Sequence, residues 1–260
     1  MPAGKDDLLS LVVHGDIRDL LQRKFRQDSV IYYALSRNAS IKDIIEAMGL
    51  PHTEIGAIEK GADQLDFSYI PQPGDHLDIR PIQAGSAPTE PTFLRPQPLA
   101  CCRFMVDINV ARLASLLRMA GFDTESVPDP ALLHTKRDIA EASAATGRIL
   151  LSRDKELLKH REVTFGRLVR SQDPPSQLYE IIMFYGLRSE VSPFSRCLKC
   201  NGTLVLVTKE SVVHRLEPLT KKYYHRFKRC GSCLSIYWQG SHHQAMVDLL
   251  TPILPENSQH

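Results

Sequence analysis

Four of the six cysteines fall into two Cys-x-x-Cys pairs, Cys197 with Cys200 and Cys230 with Cys233, separated by 29 residues. Two such pairs supply the four thiolates of a closed tetrahedral zinc site. Glycine at Gly202, after the first pair, and at Gly231, inside the second, lets the backbone turn tightly around sulfur. A closed four-sulfur site leaves no coordination position for a reactant, so the expectation is structural Zn²⁺ without catalysis. A redox dithiol needs only one pair. Cys101 and Cys102 are adjacent and read as small apolar fillers near the start of a strand.

A second set of residues suits a harder cation. Asp107, Asp154 and Asp173 each stand at or just beyond the end of a predicted strand, at 103–106, 148–152 and 166–171. Asp138 and Glu141 fall on the first turns of the helix expected before the second run. In parallel sheets the loops beyond the carboxyl ends of the strands converge, and ligands bind there. Carboxylates gathered in that place repel unless a cation neutralises them. Mg²⁺ or Mn²⁺ does so through oxygen ligands, water and substrate phosphate, and it can activate water against a phosphodiester. Each acid also has a purely structural reading. Thr135-x-x-Asp138 spells a capping box, Asp173 before Pro174-Pro175 reads as a helix N-cap, and Glu141 as a solvated helix residue.

Between the cysteine pairs runs a third feature, Lys221, Lys222, Tyr223, Tyr224, His225, Arg226, Phe227, Lys228 and Arg229. Cations neutralise phosphates and aromatic faces stack on unpaired bases, the combination that binds single strands. The alternative is a solvated helix face whose aromatics pack inward. His242 and His243 read as polar surface.

These residues need a scaffold, and the sequence outlines one. After residue 100, apolar runs alternate with helical periodicity at about 110–120, 136–146 and 174–185, which predicts an α/β domain with a parallel sheet flanked by helices over 100–190. Strands at 203–207 and 235–239 would follow the two cysteine knuckles of a zinc ribbon spanning 191–245, with a tail at 246–260. Residues 83–99 carry four prolines, which oppose helix and sheet alike and mark a linker. Upstream, strands near 9–13, 30–34, 54–58 and 77–80 and a helix capped at Ser40 and closed at Gly49 make an α+β module over 1–82. Hydrophobic residues at 43%, charged residues at 24% and a net charge of +2 are ordinary for a globular protein and exert no global pull toward nucleic acid. The absence of a long apolar run argues against a membrane span, and the acidic start against a secretion signal, so a cytoplasmic location is expected.

Several segments resemble a known family. Arg103-Phe104-Met105-Val106-Asp107, Leu116–Asp123, Asp138-Ile139-Ala140, Gly147–Asp154, Leu168-Val169-Arg170-Ser171, Pro193–Gly202 and Tyr237-Trp238-Gln239-Gly240-Ser241-His242 look like the Mut-seven C-terminal (Mut7-C) RNase family, a branch of the PIN-like nucleases. The stretches SIKDIIEAMGLPHTEIGAI and DFSYIPQPGDHLDIRPI resemble the ubiquitin-like β-grasp of sulfur carriers, although Pro81-Ile82-Gln83-Ala84-Gly85 runs on where a carrier ends in free Gly-Gly. The resemblance implies a PIN-like domain with Asp107, Asp138 and Asp154 as Mg²⁺ or Mn²⁺ ligands and Asp173 as a fourth acid. It also implies a zinc ribbon, and an N-terminal module that docks a protein partner. One departure is Asp107-Ile108-Asn109, where relatives often place a second acid. The expected function is a metal-dependent ribonuclease acting on single-stranded RNA or RNA ends. The contrasting class is a non-catalytic RNA-binding adaptor that uses the ribbon and the basic strip. A phosphatase with Asp107 as nucleophile would want Asp-x-Asp, which Asn109 breaks.

Overall fold

The computed structural model describes residues 8–127, 135–241 and 243–255. Apolar residues at every second position of β1 (Leu9–Val13) are buried in turn, as a half-covered strand requires. Around it the N-terminal region adds β2 (Ile31–Tyr33), α1 (Ile41–Ala47), β3 (Ile55–Lys60), β4 (Asp63–Gln64) and β5 (His76–Pro81). The sheet order is β2-β1-β5-β3-β4, with β1 parallel to β5 and antiparallel to β2, the mixed topology of a β-grasp. The Ser40 hydroxyl accepts from the Asp43 amide and starts α1, which buries Ile41, Ile44 and Ile45.

The α/β region runs β6 (Phe104–Val106), α2 (Ala111–Met119), β7 (Thr124–Ser126), α3 (Lys136–Ala145), β8 (Ile149–Ser152), α4 (Lys155–Leu158), β9 (Gly166–Leu168) and α5 (Pro174–Phe184). Strands β6 and β7 pair in parallel, as do β8 and β9. Strands β6, β8 and β9 are buried along their whole length, which explains the apolar runs Phe104-Met105-Val106 and Ile149-Leu150-Leu151, whereas β9 buries Arg167 at its centre. The short polar β7 carries no such signal, and the sequence reading has no strand there. The ribbon is β10 (Leu204–Val207), β11 (Phe227–Cys230) and β12 (Ile236–Trp238) in antiparallel order, with α6 (Pro218–Tyr223) between its first two strands. Part of the expected tail is ordered helix. In α7 (His243–Leu250) and the turn after it, Leu250 and Ile253 are each 1% exposed, and Arg188 donates to the Pro252 carbonyl at 2.7 Å. Among the described residues no helix is long and apolar enough to cross a membrane.

Two compact units interleave along the chain, residues 1–102 with 128–168, and residues 103–127 with 169–260. Inside the first unit, buried polar contacts fasten the β-grasp to the β8–α4–β9 segment. Glu54 is fully buried, pairs with Arg167 Nη1 at 2.6 Å and accepts from the Leu168 amide at 2.8 Å. His52 Nε2 meets the Val163 carbonyl at 2.7 Å while its Nδ1 meets Glu46 at 2.6 Å. Arg95, from the proline-rich stretch, donates to the carbonyls of Thr164, Ile55 and His52. The stretch expected as a linker is thus pinned by one nearly buried arginine, a contact that proline content cannot reveal. Removing one partner of a buried pair strands the other charge, so Glu54→Ala is expected to cost about 3–5 kcal/mol in denaturant unfolding, and Glu54→Gln distinctly less.

Candidate metal centres and nucleic-acid interface

Both cysteine knuckles are built alike. Each Cys-x-x-Cys is followed by a residue in the left-handed region, Asn201 at φ 65° and Leu234 at φ 59°. The Asn201 amide donates back to the Cys197 carbonyl and the Leu234 amide to that of Cys230, closing each turn around its sulfurs. Gly202 is required because a Cβ there would lie 2.6 Å from Ser232 Oγ and 2.9 Å from Cys230 Sγ. The four Sγ atoms come within 4.8 Å of one another, with 3.5 Å from Cys197 to Cys233 and 3.4 Å from Cys200 to Cys230. This tetrad fits a zinc site. Among the described residues, no other group of three or more His, Cys, Asp and Glu side chains is gathered at such distances. Hydrogen bonds from the Ser235 hydroxyl and amide hold the Cys233 thiol down at about 6. Cys200 is drawn down by the Gly202 amide but is pushed up to about 11 by the thiols of Cys233 and Cys230. Burial raises Cys197, yet the Tyr237 hydroxyl 3.1 Å away and the backbone amides of Cys200 and Lys199 together outweigh it and leave this thiol lowered.

Two residues that sequence reasoning passed over tie the first knuckle to the helical layer of its own unit. Arg118, 7% exposed, donates to the carbonyls of Leu198 and Lys199 as well as to that of Thr124. The Asn201 side chain accepts from the Thr124 amide and donates to Asp123. Replacing Arg118 by Ala unpairs carbonyls at one end of the knuckle. An expected outcome is a loss of about 2–3 kcal/mol, read by thermal unfolding of the zinc-loaded protein.

Asp107, Asp154 and Asp173 each cap the start of a helical segment, Asp138 lies in the first turn of α3, and Glu141 lies further along it. Asp107 directly follows β6, is 5% exposed, and accepts from the Ile108 amide at 2.7 Å and from the Asn109 side chain at 2.6 Å. Asn109 therefore orients the Asp107 carboxylate. Asp138 closes a true capping box, accepting from the Thr135 amide at 2.9 Å while the Thr135 hydroxyl accepts from its own. Asp154 caps α4 through the amides of Glu156 and Leu157 and presents its other oxygen to Lys136 Nζ at 2.7 Å. Burial tends to raise the Asp154 pKa, but Lys136 and those amides outweigh it and hold the group ionised below the usual carboxylate range. Asp173 caps α5 through the Ser176 amide, which lowers its pKa as well. Glu141 pairs with Arg137 across one helical turn at 2.7 Å.

The basic strip does not form one face. Lys221, Lys222 and Tyr223 close α6, Tyr224 to Arg226 form a connection, and Phe227, Lys228 and Arg229 enter β11. Phe227 is 1% exposed in a small core with Val212 and Leu216, so its ring packs inward. Lys228 donates to the Phe194 carbonyl. Tyr223, Tyr224, Arg226 and Lys228 line a groove of about 770 Å³ together with Tyr237 and Trp238, and among the described residues no acid lines it. Trp238 had no assigned role in the sequence reading. It is 42% exposed, and its ring lies 6.5 Å from that of Tyr224. His243 stacks near Phe194 at 4.9 Å, and His242 lies outside the described residues.

Compared with known proteins, residues 102–250 match the Mut7-C RNAse domain and residues 8–86 match the Mut7-C ubiquitin domain. No curated protein and no solved structure matches the chain.

Proposed function

Because the chain belongs to the Mut7-C RNAse domain family, we propose that its ribonuclease-type function is hydrolysis of RNA phosphodiesters with a divalent metal, on single-stranded RNA or RNA ends. The observation that carries the metal part of this reading is Asp154. It is an acid beyond a buried parallel strand, held ionised, with a cation already 2.7 Å from its outer oxygen. An oxygen that attracts the Lys136 ammonium has the charge and hardness that Mg²⁺ or Mn²⁺ seeks. In this reading Asp107, Asp138 and Asp154 hold the cation and Asp173 supplies a further acid. When bound, the cation would lower the pKa of a water and stabilise charge on the phosphodiester. The chain's own residues prepare the ligands. Asn109 fixes the Asp107 carboxylate, the Ser152 hydroxyl accepts from the Asp154 amide at 2.9 Å, and Lys136 helps to keep Asp154 charged.

Caps and metal ligands make different demands on Asp138, which gives a test. Asparagine retains an oxygen that can accept from the Thr135 amide but carries no charge. Asp138→Asn is therefore expected to change stability by less than about 1 kcal/mol while cutting RNA cleavage on the order of a hundredfold. Equal losses of stability and activity would leave Asp138 as a cap alone.

The ribbon groove favours single strands as substrate. Tyr223 and Trp238 are exposed aromatic faces, Arg226 and Lys228 stand beside them, and no lining acid repels phosphate. Aromatic stacking contributes about 1–3 kcal/mol per base and tolerates any sequence. The ubiquitin-like domain in front suits interaction with a protein partner.

A further inference from the structure

A cleft of about 540 Å³ lies within the first compact unit, and its two walls come from different modules. Leu20 to Gln22 and Arg26 of the ubiquitin-like module face Arg153, Asp154, Lys155 and Lys159 across it. A second hollow of about 460 Å³, bordered by Arg137 and Arg161, shares Glu156 and Lys159 with the first, so the two make one trough along α4.

The module's wall is held in place. Lys155 Nζ donates to the Leu20 carbonyl at 2.7 Å, and Arg26 Nε to the Leu21 carbonyl at 2.6 Å. Gly49, at φ +104°, lies so close beneath that a Cβ would sit 3.0 Å from the Gln22 amide nitrogen and 3.1 Å from the Leu20 oxygen. Charge in the trough is unbalanced. Lys159 pairs with Glu156, Arg161 with Glu162, Arg137 with Glu141 and Lys136 with Asp154. Arg26 and Lys155 are instead bonded to backbone carbonyls, which accept a hydrogen bond but cancel no charge. Two cations of that kind, on opposite walls and beside the acid proposed to serve the chemistry, fit an anionic chain laid along the trough.

We propose that this trough carries the sugar-phosphate backbone of the RNA past Asp154, and that the ubiquitin-like module supplies one wall of it through Arg26. The module then handles substrate as well as any partner. This inference rests on the ribonuclease reading, and its test separates the two.

The probe is a short fluorescent single-stranded RNA, followed by anisotropy on full-length Asp107→Asn protein, which binds without cutting. Arg26→Glu is expected to weaken binding roughly tenfold or more, and Arg26→Ala to reduce the slope of log affinity against log salt by about one, as the loss of a single phosphate contact does. Lys155→Met should weaken binding too. Arg23→Glu, exposed on the same module outside the cleft, should leave it unchanged. Thermal melts of each variant exclude unfolding as the cause. Arg26→Glu and Lys155→Met binding within about twofold of the parent, with the parent's salt slope, would overturn the trough while sparing the ribonuclease reading. Displacement of the RNA by inorganic phosphate at matched ionic strength, as complete as by unlabelled RNA, would mark a free-anion site and also overturn it. A parent that binds no RNA would overturn both.

Discussion

Replacing Asp107 and Asp154 together by asparagine is expected to abolish RNA cleavage, with a fall on the order of 10³-fold or more, while zinc content and thermal unfolding stay near those of the parent. The isosteric amides preserve much of what these residues do structurally. In Asp107→Asn the new side chain can still accept from the Ile108 amide, and in Asp154→Asn from those of Glu156 and Leu157, because side-chain amide oxygens cap helices as well as carboxylates do. What disappears is the negative charge that a divalent cation needs, together with the charge opposite Lys136. Lys136→Met separates these contributions. Asp154 owes part of its lowered pKa to that lysine, so its removal should move the acid limb of the pH–rate profile upward. The sign follows from the shift. A carboxylate held below its unfolded value works above that value and fails as the pH falls through its folded pKa, so a weaker hold makes activity fail at higher pH.

The second large effect concerns zinc. Cys230→Ser, or removal of metal by a strong chelator, is expected to unfold the ribbon. Structural zinc in comparable four-ligand modules contributes about 10–16 kcal/mol of apparent binding energy, more than a sheet of three short strands can replace. Cys230 is fully buried, so a stranded hydroxyl there adds a desolvation cost. Metal loss, dye-detected zinc release and loss of near-ultraviolet signal from Trp238 should coincide. Acid should mimic the chelator. Protons compete with zinc for thiolates, and even Cys233, whose thiol is held down at about 6, is protonated below that pH, so zinc retention should weaken as the pH falls through the mildly acidic range. Retention of zinc and of a folded ribbon by Cys230→Ser would remove this cysteine from the site.

Much of this was legible in the sequence because strong signals are local. The cysteine spacing needed only the two knuckles, each turned by its own left-handed residue, and the buried strands β6 and β8 announced themselves as apolar runs. The capping reading of Asp138 and Asp173, weighed against the metal reading, describes real hydrogen bonds at both positions. What was not legible depends on pairs distant in the chain. Nothing near Arg95 says that three carbonyls await it, and nothing near Glu54 says that Arg167 lies opposite. The basic strip misled for a related reason. Its composition reads as one surface, but Phe227 is drawn inward by Val212 and Leu216, and the aromatic that completes the groove is Trp238 on another strand.

The central claim is metal-dependent cleavage of RNA, and one titration addresses it most directly. Zinc-loaded protein, freed of other divalent ions, is incubated with single-stranded RNA while Mn²⁺ is raised from zero. Cleavage that is absent without added metal, saturates with it and is missing from the Asp107/Asp154 double variant is the result this account predicts. Cleavage that proceeds at the same rate without divalent metal, or that persists in the double variant, would contradict it.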